Sequence, residues 1–147
     1  MSAHTEIPVE DTATPCLVID IDLLDRNISS MADHVRSCGK SLRPHAKSHK
    51  CSVLAKKQAA SGAIGISAAT VPEVEGLVGA GIHGVLLTSP VVSSPAIARL
   101  MAARERDSTL TAVVDNPEHA TVLDRAARER GIELDVLLDL DVGQHRT

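Results

Sequence analysis

Short apolar runs alternate without a break with amphipathic stretches along this chain, and that alternation constrains the fold more than any other feature. Residues 16–19, 42–47, 63–68, 84–88, 109–114 and 134–142 read as strands. The stretches between them carry helix start and stop signals. Asp22 can cap a helix over 23–37 that Gly39 stops. Ser48 can cap the next, which ends near Gly62. Thr70-Val71-Pro72-Glu73 has capping-box spacing and opens a short helix closed by Gly81. Ser94-Pro95 and Asn116-Pro117 open two more, each a cap followed by proline, and the second ends at Gly131. Strand starts recur every 20 to 25 residues or roughly so, the signature of consecutive βαβ units and a parallel sheet.

A doubly wound sheet and a barrel both fit that order. The barrel is favoured because polar residues recur at the expected strand C-terminal ends: Lys47, Ser67, Thr88, Asp115 and Asp141. In a β/α barrel that face carries the chemistry. A closed barrel usually needs about 250 residues, and this chain has 147. It stops at Gly143-Gln144-His145-Arg146-Thr147 with no closing helix, which reads as a truncation. No G-x-G-x-x-G or Walker A loop is present.

The chemistry concentrates in Arg43-Pro44-His45-Ala46-Lys47-Ser48-His49-Lys50. Period-2 alternation puts Arg43, His45 and Lys47 on one face of a strand and Leu42, Pro44 and Ala46 on the other. Three basic side chains on one buried face are costly in a plain core. The same residues also suit a basic surface loop. A lysine enclosed in a barrel mouth beside other cations can be held as a neutral amine, ready to form a Schiff base with an aldehyde. Lys47 is therefore the candidate catalytic group. Lys50 is the weaker candidate, expected in the first turn of the next helix. Asp141 and Arg146 flank a glycine turn, where an arginine can donate to an anionic oxygen of a bound ring or simply face solvent. His45 and His49 have a metal-like spacing, but no third ligand lies nearby in sequence. His34, His83 and His119 sit in polar contexts and read as surface residues, and Asp139 as a polar residue of the barrel interior.

Charge and composition narrow the partners. The net charge is −4, yet no Asp or Glu occurs between Asp33 and Glu73, a window that holds seven Lys and Arg. Such a field would draw an anionic ligand, for example a phosphorylated cofactor. Lys56 and Lys57 fit a solvated helix face. Phe, Tyr and Trp are absent, so the core must be aliphatic and no ring is available to stack a base. Nucleic acid is not an expected partner. Cys16, Cys38 and Cys51 lack C-x-x-C spacing and read as free thiols of a reducing compartment. No apolar leader or membrane-length run is present, so a soluble cytoplasmic protein is expected.

With these residues in view, the chain resembles the N-terminal domain of the alanine racemase-like, fold-type III pyridoxal-phosphate enzymes, and within them the D-threonine aldolase and D-serine dehydratase branch. The resemblance runs from Thr14 to the end. It rests on Thr14-Pro15-Cys16-Leu17-Val18-Ile19-Asp20 with Asn27, on the octapeptide around Lys47, and on Gln58. It continues through Ala68-Ala69-Thr70 with Glu73 and Glu75, Leu86-Leu87-Thr88-Ser89-Pro90, and the run from Asp141 to Thr147. Ser48 stands where the branch often has threonine. The resemblance implies that Lys47 carries pyridoxal 5'-phosphate as an internal aldimine and that Arg146 contacts its phenolic oxygen, with His45 and Asp141 also at the cofactor. It implies a small D-amino acid as substrate, with Cα–Cβ cleavage of a D-3-hydroxy amino acid or elimination of its β-hydroxide.

On that view, residues 1–13 are a flexible arm. Residues 14–147 form an incomplete TIM-type (β/α) barrel of about five barrel strands, plus one N-terminal strand near Val18 that belongs to a second, β-rich domain. The family's phosphate loops, its C-terminal domain and its divalent-metal ligands would lie beyond Thr147, and the longer member is compatible with a homo-oligomer. The chain alone is then expected to be inactive. Two other readings remain beside the lyase: a non-catalytic pyridoxal-phosphate carrier, and an inert remnant whose open sheet edge promotes aggregation.

Overall fold

The helices form close to their capping signals, with three shifts. A computed structural model describes residues 8–145. After a 3-10 turn at Val9–Asp11, α1 spans Ile21–Ser37. Its cap is Asp20 rather than Asp22: Asp20 has extended backbone, and its carboxylate accepts from the Leu23 N–H at 2.9 Å. Asp22 falls inside the first turn, where its charge complements the helix dipole. The second helix, α2, spans Ser52–Ala60, later than the Ser48 cap implies. Ser48 instead ends a 3-10 turn over Ala46–Ser48, and its hydroxyl donates to the His45 carbonyl at 3.2 Å. α3 (Val71–Gly79) begins at Thr70 as expected, and the Thr70 hydroxyl accepts from the Glu73 N–H. The Glu73 carboxylate reaches back to the Ala69 N–H at 2.8 Å, one residue before the usual partner. α4 spans Ser94–Arg106 with Ser93 rather than Ser94 at the cap, so Pro95 is its second residue, and α5 spans Pro117–Glu129, capped by Asn116 as expected.

Four short strands follow these helices in alternation: β1 Ser67–Ala68, β2 Leu86–Leu87, β3 Thr111–Val114 and β4 Asp135–Leu138. All pair parallel in the order β1-β2-β3-β4, with Ser67 opposite Leu86, Leu86 opposite Thr111 and Thr111 opposite Asp135. The paired ladders are shorter than the apolar runs, because burial extends beyond the hydrogen-bonded register. Ile66 and Val85 are fully buried just outside it. The sheet is open, an incomplete barrel. The expected strand over 42–47 is reduced to a single bridge, described below.

The apolar run 16–19 is not a strand. Leu17, Val18 and Ile19 are exposed, and no backbone hydrogen bond joins them to another segment among the described residues. An apolar run with strand spacing becomes a strand only where a neighbour completes its hydrogen bonds.

The core lies between the sheet and the layer of α3, α4 and α5, which pack in sequence order. Val74, Leu87, Leu100, Met101 and Leu110 are fully buried there. β4 is an edge strand, and Val136, Leu137 and Leu138 are exposed on both faces. At the N-terminal end of the sheet the backbones at Gly65 and Gly84 nearly touch. A Cβ on Gly65 would lie 2.0 Å from the Gly84 carbonyl oxygen.

Candidate functional site at the C-terminal end of the sheet

Residues 42–45 run parallel beside 64–67. The Ile64 N–H donates to the Leu42 carbonyl at 2.9 Å, the Ser67 N–H donates to the Pro44 carbonyl at 2.8 Å, and His45 bridges Ser67. Pro44 has no N–H to extend that ladder. After His45 the chain turns, and its ring accepts from the Lys47 N–H through Nδ1 at 3.2 Å. Lys47 therefore leaves the sheet in a 3-10 turn and does not continue the alternation of Arg43 and His45. Arg43 stays apart from the site: its Nε is buried and unpartnered among the described residues.

The turn places Lys47 on a cleft of about 440 Å³ at the strand C-termini, shared with His45, Thr88, Ser89, Asp139 and Asp141. That volume suits a small-molecule site. Three of the five strand-end residues singled out in the sequence meet here: Lys47, Thr88 and Asp141. Ser67 is buried, with its hydroxyl toward the Arg43 carbonyl at 3.5 Å. Asp115 faces His119 Nδ1 at 3.5 Å. The expected enclosed lysine is not observed. Lys47 is exposed.

Lys50 is placed elsewhere. It precedes α2 in a left-handed conformation, φ 48°, rather than sitting in the first helical turn. Its Nζ pairs with Glu73 at 3.2 Å over a separate cavity. The Ala69 N–H, outweighing burial, and then Lys50 and His45 hold the Glu73 carboxyl below the usual range. The basic window is likewise neutralised in part from outside: Arg36 pairs with Asp33 and Lys57 with Asp25, each at 2.7 Å. Among the described residues Lys47 makes no ion pair.

Both ring nitrogens of His45 are hydrogen-bonded within the protein, since Nε2 lies 3.2 Å from the Thr88 hydroxyl. Burial first, then the Lys47 charge, holds the His45 imidazole below its ordinary pKa, with Glu73 and the hydrogen bond at Ser67 opposing. Asp141 organises the last turn: its Oδ1 accepts from the N–H groups of Gly143 at 2.8 Å and His145 at 3.0 Å. Arg146 lies outside the described residues.

His49 is oriented by the Cys51 N–H, which donates to its Nδ1 at 3.1 Å. Among the described residues no group of three or more His, Cys, Asp or Glu side chains is placed to hold a metal ion. His119 is not a surface residue. It is buried, and its Nε2 donates to the Val91 carbonyl at 2.9 Å, holding the loop after β2. His83 is exposed but paired at 3.2 Å with buried Asp107. All three cysteines are free thiols. No helix among the described residues is long and apolar enough to cross a membrane.

The sequence reading set a carboxylate pair of Asp139 with Asp141 behind a barrel-interior place for Asp139, and it named Ser89 only within a motif. Both line the cleft because they follow the ends of β4 and β2. Their position one or two residues past an apolar run was the available signal.

Comparison with known proteins agrees with this geometry. Residues 19–147 match the family described as alanine racemase, N-terminal domain. A 3-hydroxy-D-aspartate aldolase of Paracoccus denitrificans is 35% identical over 134 residues, covering 90% of this chain and 35% of that protein. A D-threo-3-hydroxyaspartate dehydratase of Delftia sp. (strain HT23) is 32% identical over 134 residues, covering 91% and 35%. The crystal structure of D-threonine aldolase from Filomicrobium marinum superposes with a TM-score of 0.94 at 37% identity, covering 99% of this chain and 39% of that one. The chain thus spans about a third of the length of the curated relatives it matches. A parallel βα sheet with a lysine at its C-terminal cleft and a matching family signature over 19–147 makes this chain a member of the alanine racemase N-terminal domain family, of the fold-type III pyridoxal-phosphate class.

Proposed function

We propose that this chain is the cofactor-anchoring N-terminal part of a pyridoxal-phosphate-dependent lyase for D-3-hydroxy amino acids, of the type that cleaves Cα–Cβ to glycine and an aldehyde. The observation that carries the reading is the placement of Lys47. Of the two lysines in the octapeptide, Lys47 reaches the cleft at the strand tips, while Lys50 is paired with Glu73 over another cavity. The aldolases among the relatives support the cleavage chemistry. The 32% identical dehydratase supports β-elimination as the second outcome.

The residues present fit the cofactor. An exposed primary amine without an ion pair among the described residues opens onto a cleft of ligand size, with hydroxyls at Thr88 and Ser89 and carboxylates at Asp139 and Asp141. When bound, pyridoxal phosphate supplies an electron sink for charge at the substrate α carbon. Lys47 Nζ would hold it covalently, and as a free amine the same group would be able to hold a proton at the cleft. Asp141 orders the turn that leads to Arg146, whose planar fork is suited to the phenolic oxygen. A divalent metal belongs to this reading only in longer members. The described residues offer no cluster for one, and no step here is routed through it.

Incubation with pyridoxal phosphate, borohydride reduction and peptide mapping test the reading. The label is expected on Lys47. Label on Lys50 with Lys47 unmodified would overturn it.

A further inference from the structure

The hydrogen bonds of His45 with Lys47 and Thr88 admit one protonation state, whereas its backbone contact at Ser67 favours the protonated ring. The Lys47 N–H can only donate, so Nδ1 must present its lone pair. Thr88 has one hydroxyl proton, and the Ala68 carbonyl accepts it at 3.0 Å. Thr88 Oγ1 must then accept from Nε2–H at 3.2 Å. The neutral Nε2–H tautomer satisfies all three contacts. The Nδ1–H tautomer and the imidazolium each place a proton against the Lys47 N–H.

The ring therefore spans from the backbone of Lys47 to the tip of β2. The turn it caps is a short one, closed by the His49 and Lys50 N–H groups on the Ala46 carbonyl, at 3.1 and 2.7 Å. Three-residue turns of this kind have poor hydrogen-bond geometry of their own. The ring contact adds a constraint on the backbone at Lys47. With both nitrogens engaged, the ring has no N–H or lone pair left for a ligand.

We propose that His45, anchored by Thr88, is a positioning residue that aims Lys47 into the cleft and offers the cofactor no hydrogen bond. The proposal rests on Lys47 being the cofactor lysine. It differs from a cofactor-binding histidine in what it requires of Thr88, a residue that would otherwise be a passive strand end.

The experiment compares wild type, Thr88→Val and Thr88→Ser. Valine keeps the β-branched shape and the backbone bond from N–H 88 to the Ala68 carbonyl at 2.9 Å, but it loses the hydroxyl. Two quantities are read. Long-range 1H–15N spectra report the His45 tautomer without any cofactor. Borohydride trapping with pyridoxal phosphate reports the initial labelling rates at Lys47 and Lys50. Wild type is expected to show Nε2–H. In Thr88→Val, losing one net hydrogen bond should slow Lys47 labelling about fivefold to tenfold while Lys50 is unchanged. Thr88→Ser should restore both readouts.

An Nδ1–H tautomer or a charged ring in wild type at neutral pH overturns the proposal. So does a Thr88→Val protein that labels Lys47 at the wild-type rate. If Thr88→Val does not fold, His45→Asn serves in its place. Asparagine can cap the turn but cannot reach Thr88, so Lys47 labelling should again fall, and wild-type labelling would refute the proposal. Wild-type label absent from Lys47 refutes the cofactor reading instead, and the tautomer spectrum still judges the His45–Thr88 contact.

Discussion

Replacing Gly65 with alanine should destabilise the fold far more than the same change at Gly76, and the structure gives the size of the difference. An ideal Cβ at position 65 would lie 2.0 Å from the Gly84 carbonyl oxygen, 2.7 Å from its carbon and 3.0 Å from its Cα. These are backbone atoms, so no rotamer change relieves the clash. Gly84 itself has φ +70° and faces back on the Ile64 carbonyl, so it cannot easily retreat. Relief to ordinary contact at 3.4 Å requires the segments to part by 1.4 Å (3.4 minus 2.0). Two bonds lie in the path of that movement: Leu86 N–H to the Ile66 carbonyl at 2.9 Å and Gly84 N–H to Thr109 Oγ1 at 2.7 Å. Overpacking costs about 1 to 3 kcal/mol and each of the two weakened bonds about 1 kcal/mol, so the total is about 3 to 5 kcal/mol. That is a large share of the roughly 5 to 15 kcal/mol that holds a domain together.

Gly76 is an exposed position inside α3, where an added Cβ meets nothing within 4 Å. Alanine there should stabilise by about 0.5 to 1 kcal/mol, by restricting the unfolded chain and favouring helix. Urea unfolding followed by circular dichroism reads both. With a slope of about 1 to 2 kcal/mol per molar, Gly65→Ala should lower the midpoint by at least about 1.5 M, whereas Gly76→Ala should raise it slightly. Equal midpoints for Gly65→Ala and wild type, or a comparable fall for Gly76→Ala, would refute the reasoning.

Three further outcomes follow from the same structure. Burial pushes the Asp107 carboxyl up, but the Thr109 hydroxyl and N–H, with His83, more than offset this and hold it below its ordinary value. A depressed carboxyl stabilises above its unfolded pKa and loses that contribution as pH falls through the folded one. Stability should therefore drop below about pH 4, and Asp107→Asn should be less stable at neutral pH and flatter in acid by urea titration. The lowered His45 imidazole works in the same direction: its contribution is complete above the ordinary imidazole value and is lost as pH falls through the lower folded value. NMR titration should find that ring neutral at neutral pH, with Lys47 beside it, Glu73 on α3, and Asp139 and Asp141 across the cleft. Finally, Arg146→Lys keeps the charge but loses the planar fork. Cofactor titration should show roughly 10-fold to 100-fold weaker retention, and unchanged affinity would remove Arg146 from the site.

The alternation of apolar runs and capped helices was enough to read the parallel βα order. Those signals are local: Thr70 and Asn116 cap by reaching N–H groups three residues away. The octapeptide likewise marked Lys47. Three things were decided only in the tertiary structure. The strand through 42–47 shrank to one bridge because Pro44 and the His45 cap end its ladder. The run 16–19 formed no strand because strand identity belongs to a pair of segments. Lys47 and Lys50, alike in sequence, were separated by the left-handed backbone of Lys50 itself and by its ion pair to Glu73 on a helix 20 or so residues away, a contact that only packing creates. Local hydrogen bonds are written in neighbouring residues, whereas pairing, burial and the aim of a side chain depend on segments that meet only when the chain has folded.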